Sequence, residues 1–414
     1  MDDSLTSSRV PAGGSWPVGQ FVAQMVGAGI DLDVPVLEGG SGARVCVDNR
    51  EVLNFAGCSL LGMHLHPAVV DSFCRNARRY GLATGGSRLV QGKLRPIRDL
   101  EAQIALSTGK SAAITFASGA LANIGFVHAM SGLFKMAEGV ELDLSKTVFV
   151  LDRDCHWSLW KAVEKLRGSD RLYRFAHNDV GSLETVLKRI RGRRAVVMFE
   201  SVYSVDGSIA PIRDIVGCAN EYGALTYVDD ANGYLVYDTP GRGFDDDFAS
   251  LTDVTFRMVS LSKSIGLEGG AIAGPEAFID VIEWLSGTSA FTSSILPANA
   301  GAALTASDVI SSDRRLMDKY LRRARDLRES LIERGYAAAS SRSYIINIRI
   351  GSDDVAEDVR REFLGAGFLI PVFRYPASRR NDAGIRLVLS ALHTDADIAS
   401  FLHCLDDVRR RTGF

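Results

Sequence analysis

A single lysine stands in a loop of small residues, Ser260-Leu261-Ser262-Lys263-Ser264-Ile265-Gly266, directly after the strand-like run 254–259. Upstream, a second apolar run ends in acid: Leu225-Thr226-Tyr227-Val228-Asp229-Asp230. An amine and a carboxylate at two strand ends are what pyridoxal 5'-phosphate (PLP) chemistry requires. The amine forms a Schiff base with the cofactor aldehyde. The acid keeps the pyridine nitrogen protonated, so that the ring accepts the electrons of a carbanion. Alone, a lysine followed by glycines is more often a surface-loop residue; the pairing with Asp229 brings the two readings level.

Three more polar loops begin at strand ends. Ala117-Ser118-Gly119-Ala120 opens a helix, where free N–H groups and the helix dipole suit a phosphate. An ordinary tight strand–helix turn uses the same residues. His156, within Asp154-Cys155-His156-Trp157-Ser158, is either a structural histidine or one that stacks on a cofactor ring. Glu200-Ser201-Val202-Tyr203-Ser204-Val205-Asp206-Gly207 is either a turn rich in capping residues or a binding loop acting through Ser204.

The elements that must position these loops follow from periodicity. Strands are expected at 112–116, 147–151, 195–199, 225–228, 255–259 and 270–273, alternating with helical segments. That alternation predicts an α/β fold with a mostly parallel sheet covered on both faces. Ligands of such sheets sit beyond the carboxyl ends of the strands, where Asp229 and Lys263 both fall. Before the sheet come a short helix at about 17–28, a hairpin at 43–47 and 51–55, and a helix at about 67–81. After Pro297 one long helical stretch to about residue 335 leads to a compact α+β unit. Its expected elements are strands at 345–350, 369–373 and 385–390 and helices near 356–366 and 394–411. The division is 1–55 for an arm and hairpin, 56–297 for a large domain, and 298–414 for the connecting helix and small domain.

Composition narrows the function classes. A net charge of −3 provides no global attraction for nucleic acid or anionic membrane. The cluster Arg322-Arg323-Ala324-Arg325 lies in mixed-charge, helix-like surroundings and reads as a solvated face rather than a nucleic-acid patch. The six cysteines have no metal-ligand spacing and read as reduced thiols, so no metal is expected. The start of the chain is acidic and unlike a signal peptide, and no apolar run approaches a membrane span. A cytoplasmic protein is expected.

Taken together the motifs resemble the α-oxoamine synthase family of fold-type-I PLP enzymes. The resemblance runs from about Asn54 to the C-terminal helix. It rests on Asn54-Phe55-Ala56-Gly57, Gly85-Gly86-Ser87-Arg88, Phe175-Ala176-His177-Asn178-Asp179, Glu200-Ser201-Val202 with Ser204 and Asp206-Gly207. Val228-Asp229-Asp230-Ala231, Ser262-Lys263 and Arg386 before Ser390-Ala391-Leu392-His393-Thr394 complete it. The resemblance implies that Lys263 is the Schiff-base lysine and the base for the α-proton, that Asp229 partners the pyridine nitrogen, and that His156 stacks on the ring. It places Ser204 near the phenolic oxygen, and Ser118, Gly119 and Ala120 at the phosphate with Ser260 as helper. Thr292 and Ser293 would reach the phosphate from a neighbouring subunit, implying a homodimer with shared sites. Arg386, assisted by Asn54, would hold the amino acid's carboxylate.

The implied reaction condenses an amino acid with an acyl thioester, on coenzyme A or a carrier protein, usually with loss of CO₂ to give an α-amino ketone. Three departures point to an unusual substrate, as in specialised metabolism. Asn232 occupies a cofactor-contacting position that is usually histidine, and its amide has no acid–base capacity. Ala120 replaces an aromatic residue, and Ile97 replaces a histidine. Two alternatives stay open: an aminotransferase, racemase or lyase of the same fold, favoured by Asn232, and a silent subunit, which would have no need of Lys263, Asp229 and His156.

Overall fold

The computed structural model describes residues 16–27, 34–338, 342–375 and 378–414. Residues 1–15, the start of the expected arm, lie outside the described residues. A seven-stranded sheet organises the chain. In spatial order its strands are Ala112–Phe116, Gly270–Gly274, Phe256–Ser260, Leu225–Asp229, Ala195–Glu200, Val148–Asp152 and Leu172–Phe175. From Phe256–Ser260 to Leu172–Phe175 every pairing is parallel; Gly270–Gly274 runs antiparallel to both its neighbours. The parallel strands therefore end on one rim, which carries Asp152, Glu200, Asp229 and Ser260.

The central strands are near-continuous apolar runs because both faces are covered. Val197 and Phe199 enter one core with Val148 and Val150. Val196 and Met198 enter the opposite core with Phe149 and Leu151. This alternation sorts the two acids at the end of Leu225–Asp229 as well, since successive side chains point to opposite faces. Asp230 turns to the buried Arg257, whose Nε donates to its Oδ2 at 2.7 Å. Asp229 is left for the rim.

The early hairpin is Arg44–Val47 paired with Arg50–Asn54, closed by Asp48 and Asn49 at φ 50° and 59°. Two residues in the left-handed region are the mark of a type I′ turn. The long stretch after Pro297 is two helices, Pro297–Ser312 and Arg314–Glu333. Asp313 breaks it: its carboxylate accepts from the Arg315 N–H at 3.1 Å and caps a new N-terminus. The C-terminal unit holds a three-stranded sheet of Ile346–Gly351, Ala383–Leu387 and Val372–Phe373 with helices Asp353–Gly365 and Asp395–Thr412. Among the described residues three elements had no counterpart among the expected strands: the short strand Leu37–Glu38, the edge strand Leu172–Phe175 and the small hairpin Leu133–Ala137/Val140–Asp143. No described helix is long and apolar enough to cross a membrane.

Candidate active site

Beyond the rim lies a cavity of about 230 Å³. Lys263, Asp229, His156, Ser204 and Arg386 all line it, as do Ser118, Gly119, Ala120, Asn232 and Ser260. Asn123, Ser158 and Glu200 join them.

Each group is held by local structure. Ser118 caps the helix Gly119–Met130, its Oγ accepting from the Leu121 N–H at 3.2 Å. The first amides of that helix have no acceptor within it and form a ready anion cradle. The strand behind the cradle must be glycine, because a Cβ on Gly270 would fall 2.6 Å from the Gly119 backbone. The Lys263 loop is anchored through its main chain, the Leu60 N–H donating to the Lys263 carbonyl at 3.2 Å.

Asp229 is buried, its Oδ2 accepting from Asn123 Nδ2 at 2.9 Å and its Oδ1 from the Ala231 N–H at 3.1 Å. Asn123 is itself fixed, because its Oδ1 takes the Tyr227 hydroxyl at 2.6 Å. Burial pushes the Asp229 carboxyl up, against the opposing pull of Asn123, His156 and Lys263. A buried carboxylate of raised proton affinity is a strong acceptor for a protonated ring nitrogen. Burial drives the His156 imidazole down and outweighs the attraction of Asp229. The imidazole Nδ1 lies 2.8 Å from Ser158 Oγ and accepts from the Ser158 N–H at 3.3 Å, which fixes the ring's orientation.

Glu200 ties two of the loops together. Its Oε1 accepts from the His156 N–H at 2.5 Å and its Oε2 from the Ser204 N–H at 3.2 Å. Burial, then the nearby Asp229 charge, pushes this carboxyl well up. Arg386 enters from the strand Ala383–Leu387: its Nη1 donates to the Ser204 carbonyl at 3.1 Å and its guanidinium lies over the Phe373 ring. Its Nε is buried and has no partner among the described residues. Arg386 lines the cavity, and a guanidinium with an uncommitted donor is a seat for a carboxylate. The cradle, the acceptor at Asp229, the amine at Lys263 and this orphan donor together fit PLP bearing an amino acid.

The remaining expected positions fall elsewhere. Asn54 does not line the cavity; its Nδ2 donates to the Gly42 carbonyl at 3.0 Å and its Oδ1 accepts from the Ala56 N–H at 3.1 Å. Thr292 and Ser293 are exposed and outside this chain's cavity. Asn232 has both ends of its amide engaged, Nδ2 by the Val202 carbonyl at 3.1 Å and Oδ1 by the Tyr344 hydroxyl at 3.3 Å. Asn123, Ser158 and Glu200 were not among the expected site residues. Asn123 stands one helical turn beyond Gly119 on the same face, which was the available signal.

A second cluster stiffens the Ser204 loop. His177 Nδ1 lies 3.1 Å from Asp152 Oδ1, and its Nε2 lies 3.7 Å from Asp206 Oδ2. Burial alone would lower this histidine, but the Asp152 and Asp206 carboxylates beside it prevail and raise it to about 10. The folded value exceeds the unfolded one, so this stabilisation is complete below ~6.5 and is lost as pH rises through about 10. The thermal midpoint is therefore expected to fall across that window more steeply in the native protein than in His177→Asn. Parallel curves would rule the linkage out.

The family model for aminotransferase class I and II matches residues 50–405. The 8-amino-7-oxononanoate synthase of Maricaulis maris is 33% identical over 86% of this chain and 86% of its own length. That of Methylobacterium nodulans is 32% identical over 91% of each chain. Among solved structures, Sphingomonas wittichii serine palmitoyltransferase superposes with a TM-score of 0.83 at 26% identity, covering 96% of this chain and 97% of that one.

Proposed function

The chain belongs to the aminotransferase class I and II family and, within it, to the α-oxoamine synthases, and on that premise we propose that it condenses an amino acid with an acyl thioester in a PLP-dependent C-acyl transfer. The α-carbon bonds to the acyl carbonyl carbon, the C–S bond breaks, and the thiol departs. Loss of the amino acid's carboxylate as CO₂ then yields an α-amino ketone. One observation carries this reading. Arg386, whose Nε has no partner among the described residues, lines the same cavity as Lys263 and Asp229.

PLP, when bound, supplies an aldehyde for the amino group and an electron-poor ring for the electrons of the α-carbon. Lys263 Nζ takes the α-proton as base. Asp229 accepts from the ring nitrogen, and Asn123 holds that carboxylate in place. Neutral His156 presents a ring face rather than a charge. The cradle at Ser118, Gly119 and Ala120, with Ser260 beside it, holds the phosphate, and Ser204 serves the phenolic oxygen. Arg386 grips the α-carboxylate and so orients the bond to be broken. Incubating the holoenzyme with amino acids and acyl thioesters, and following free thiol and CO₂, tests the reading. Keto-acid formation without thiol release would replace it with transamination.

Arg386→Ala is expected to raise the amino acid's KM by about 10–100-fold, with a smaller fall in kcat, because a charge-assisted pair is lost. Unchanged saturation by the amino acid would remove Arg386 from this role. Asn232, already committed to Val202 and Tyr344, and the small Ala120 support an unusual acyl substrate in a specialised pathway.

A cytoplasmic homodimer with shared sites completes the reading. Phe291 is 81% exposed and Val90 78% exposed, and the Phe291 N–H donates to Ser87 Oγ at 3.1 Å, which ties together the two segments that carry these exposed apolar side chains. Docking a second copy there would cover the patch and offer Thr292 and Ser293 to the neighbour's phosphate cradle. A monomeric mass for the active holoenzyme by light scattering would contradict shared sites.

A further inference from the structure

A second cavity, of about 310 Å³, opens on the far side of the wall formed by Tyr344. Six arginines line it: Arg242, Arg314, Arg322, Arg325, Arg328 and Arg342. They come from three separate segments of chain. Four lie along one stripe of the helix Arg314–Glu333, where residues three, four and seven apart share a face. The buried stripe of the same helix, Met317, Tyr320, Ala324, Leu327 and Leu331, packs into the core and fixes the arginine face outward. Among the described residues Asp318 is the one carboxylate in the lining, and it is already engaged by Arg242 Nε at 2.8 Å.

Like charges at helical spacing repel, and of the helix's acids, Asp318, Asp326, Glu329 and Glu333, Asp318 alone lines the cavity among the described residues. A solvated face, the expectation for the Arg322–Arg325 cluster, spreads its cations over convex surface. Here they converge on a concavity. Arginine forks match phosphate oxygens two at a time, and an aromatic wall is present as well. The Arg342 guanidinium stacks over the Phe244 ring at 5.3 Å. Phe244 is held at φ 59° behind Gly241 and Gly243, at φ 87° and 89°. A bulky residue in the left-handed region is uncommon, and such conformations recur at ligand clamps.

We propose that this cavity binds a diphosphate-bearing small molecule at a site separate from the reaction cavity. The floor separates the two. Tyr344 is buried, and its main-chain N–H donates to the Tyr237 hydroxyl at 3.0 Å. The Tyr344 hydroxyl meets Asn232 on the reaction side, and Ser343 Oγ donates to the Gly207 carbonyl at 2.6 Å, in the loop that carries Ser204. An anion seated on the arginines thus presses on residues that contact both Asn232 and the Ser204 loop. The diphosphate has two possible sources, a free nucleoside diphosphate or the nucleotide end of coenzyme A.

The test is calorimetric titration of the PLP-loaded enzyme, whose phosphate cradle is filled, with inorganic pyrophosphate at low and high salt. Saturable binding that weakens with salt is expected, falling about tenfold or more in Arg325→Ala/Arg342→Ala and less in Arg325→Lys. Absence of saturable binding, or equal binding by the double variant, would overturn the proposal and leave a solvated arginine face. The pyrophosphate arm needs no turnover, so its failure is distinct from failure of the condensation reading. ADP and coenzyme A arms separate the sources. Tighter binding of coenzyme A than ADP, with a raised acyl-CoA KM in the double variant, assigns the site to the carrier. Equal binding with an unmoved KM assigns it to a free diphosphate.

Discussion

Lys263→Ala is expected to lower kcat for thiol release by ~10³-fold or more, because one amine serves as both covalent anchor and base. The fold should survive the change. The loop is held through its main chain: the Leu60 N–H donates to the Lys263 carbonyl, and Gly266 at φ 73° sets the turn without help from the lysine side chain. The side chain projects into the cavity rather than into either core. Removing it leaves the cradle, Asp229 and Arg386 in place. The cofactor is then expected to bind reversibly and to be removed by dialysis, whereas the native enzyme retains it. Turnover within tenfold of native would transfer the covalent role to some other group.

Asp229→Asn carries the second large effect, a fall in kcat of roughly 10²–10⁴-fold. The substitution looks isosteric, but the surrounding hydrogen bonds make it costly. Asn123 Nδ2 donates to Asp229 Oδ2, and Asn123 cannot turn its oxygen round because Tyr227 already donates to that atom at 2.6 Å. An amide at 229 sets donor against donor in a buried place and also removes the negative charge that a protonated ring nitrogen requires. The neighbouring residue provides the control. Asp230→Asn weakens the buried pair with Arg257, at a cost of about 3–5 kcal/mol in stability, while sparing the kinetics of the molecules that remain folded. If the two variants lose kcat equally, the distinction between the two acids fails.

Much of this architecture was legible because apolar runs bounded by glycine and polar loops are strong local signals. The strand Ala112–Phe116 falls where periodicity put it, and the others shift by a residue or so at their ends. The C-terminal helix begins at Thr394 with a full capping box to Asp397, a signal readable from residue types alone. Leu172–Phe175 escaped notice because it is four residues long at a sheet edge, with Arg174 exposed and no long apolar run. The expected single helix after Pro297 failed at Asp313, where a local side-chain cap competes with helix continuation.

Residue types and order alone determined the chemistry: an amine, an acid, a phosphate turn and a carboxylate-binding arginine, each at the end of a periodic segment. Those features are local, and local backbone preference writes them directly into sequence. Tertiary structure alone decided which of two adjacent acids faces the cavity, since the alternation of side chains about a packed sheet sent Asp230 to Arg257 and left Asp229 on the rim. It also recruited Asn123 and Glu200 as supports, and gathered six arginines from three segments around one hollow. Such meetings depend on distances between residues far apart in the chain, which are set by packing and leave no mark in sequence spacing.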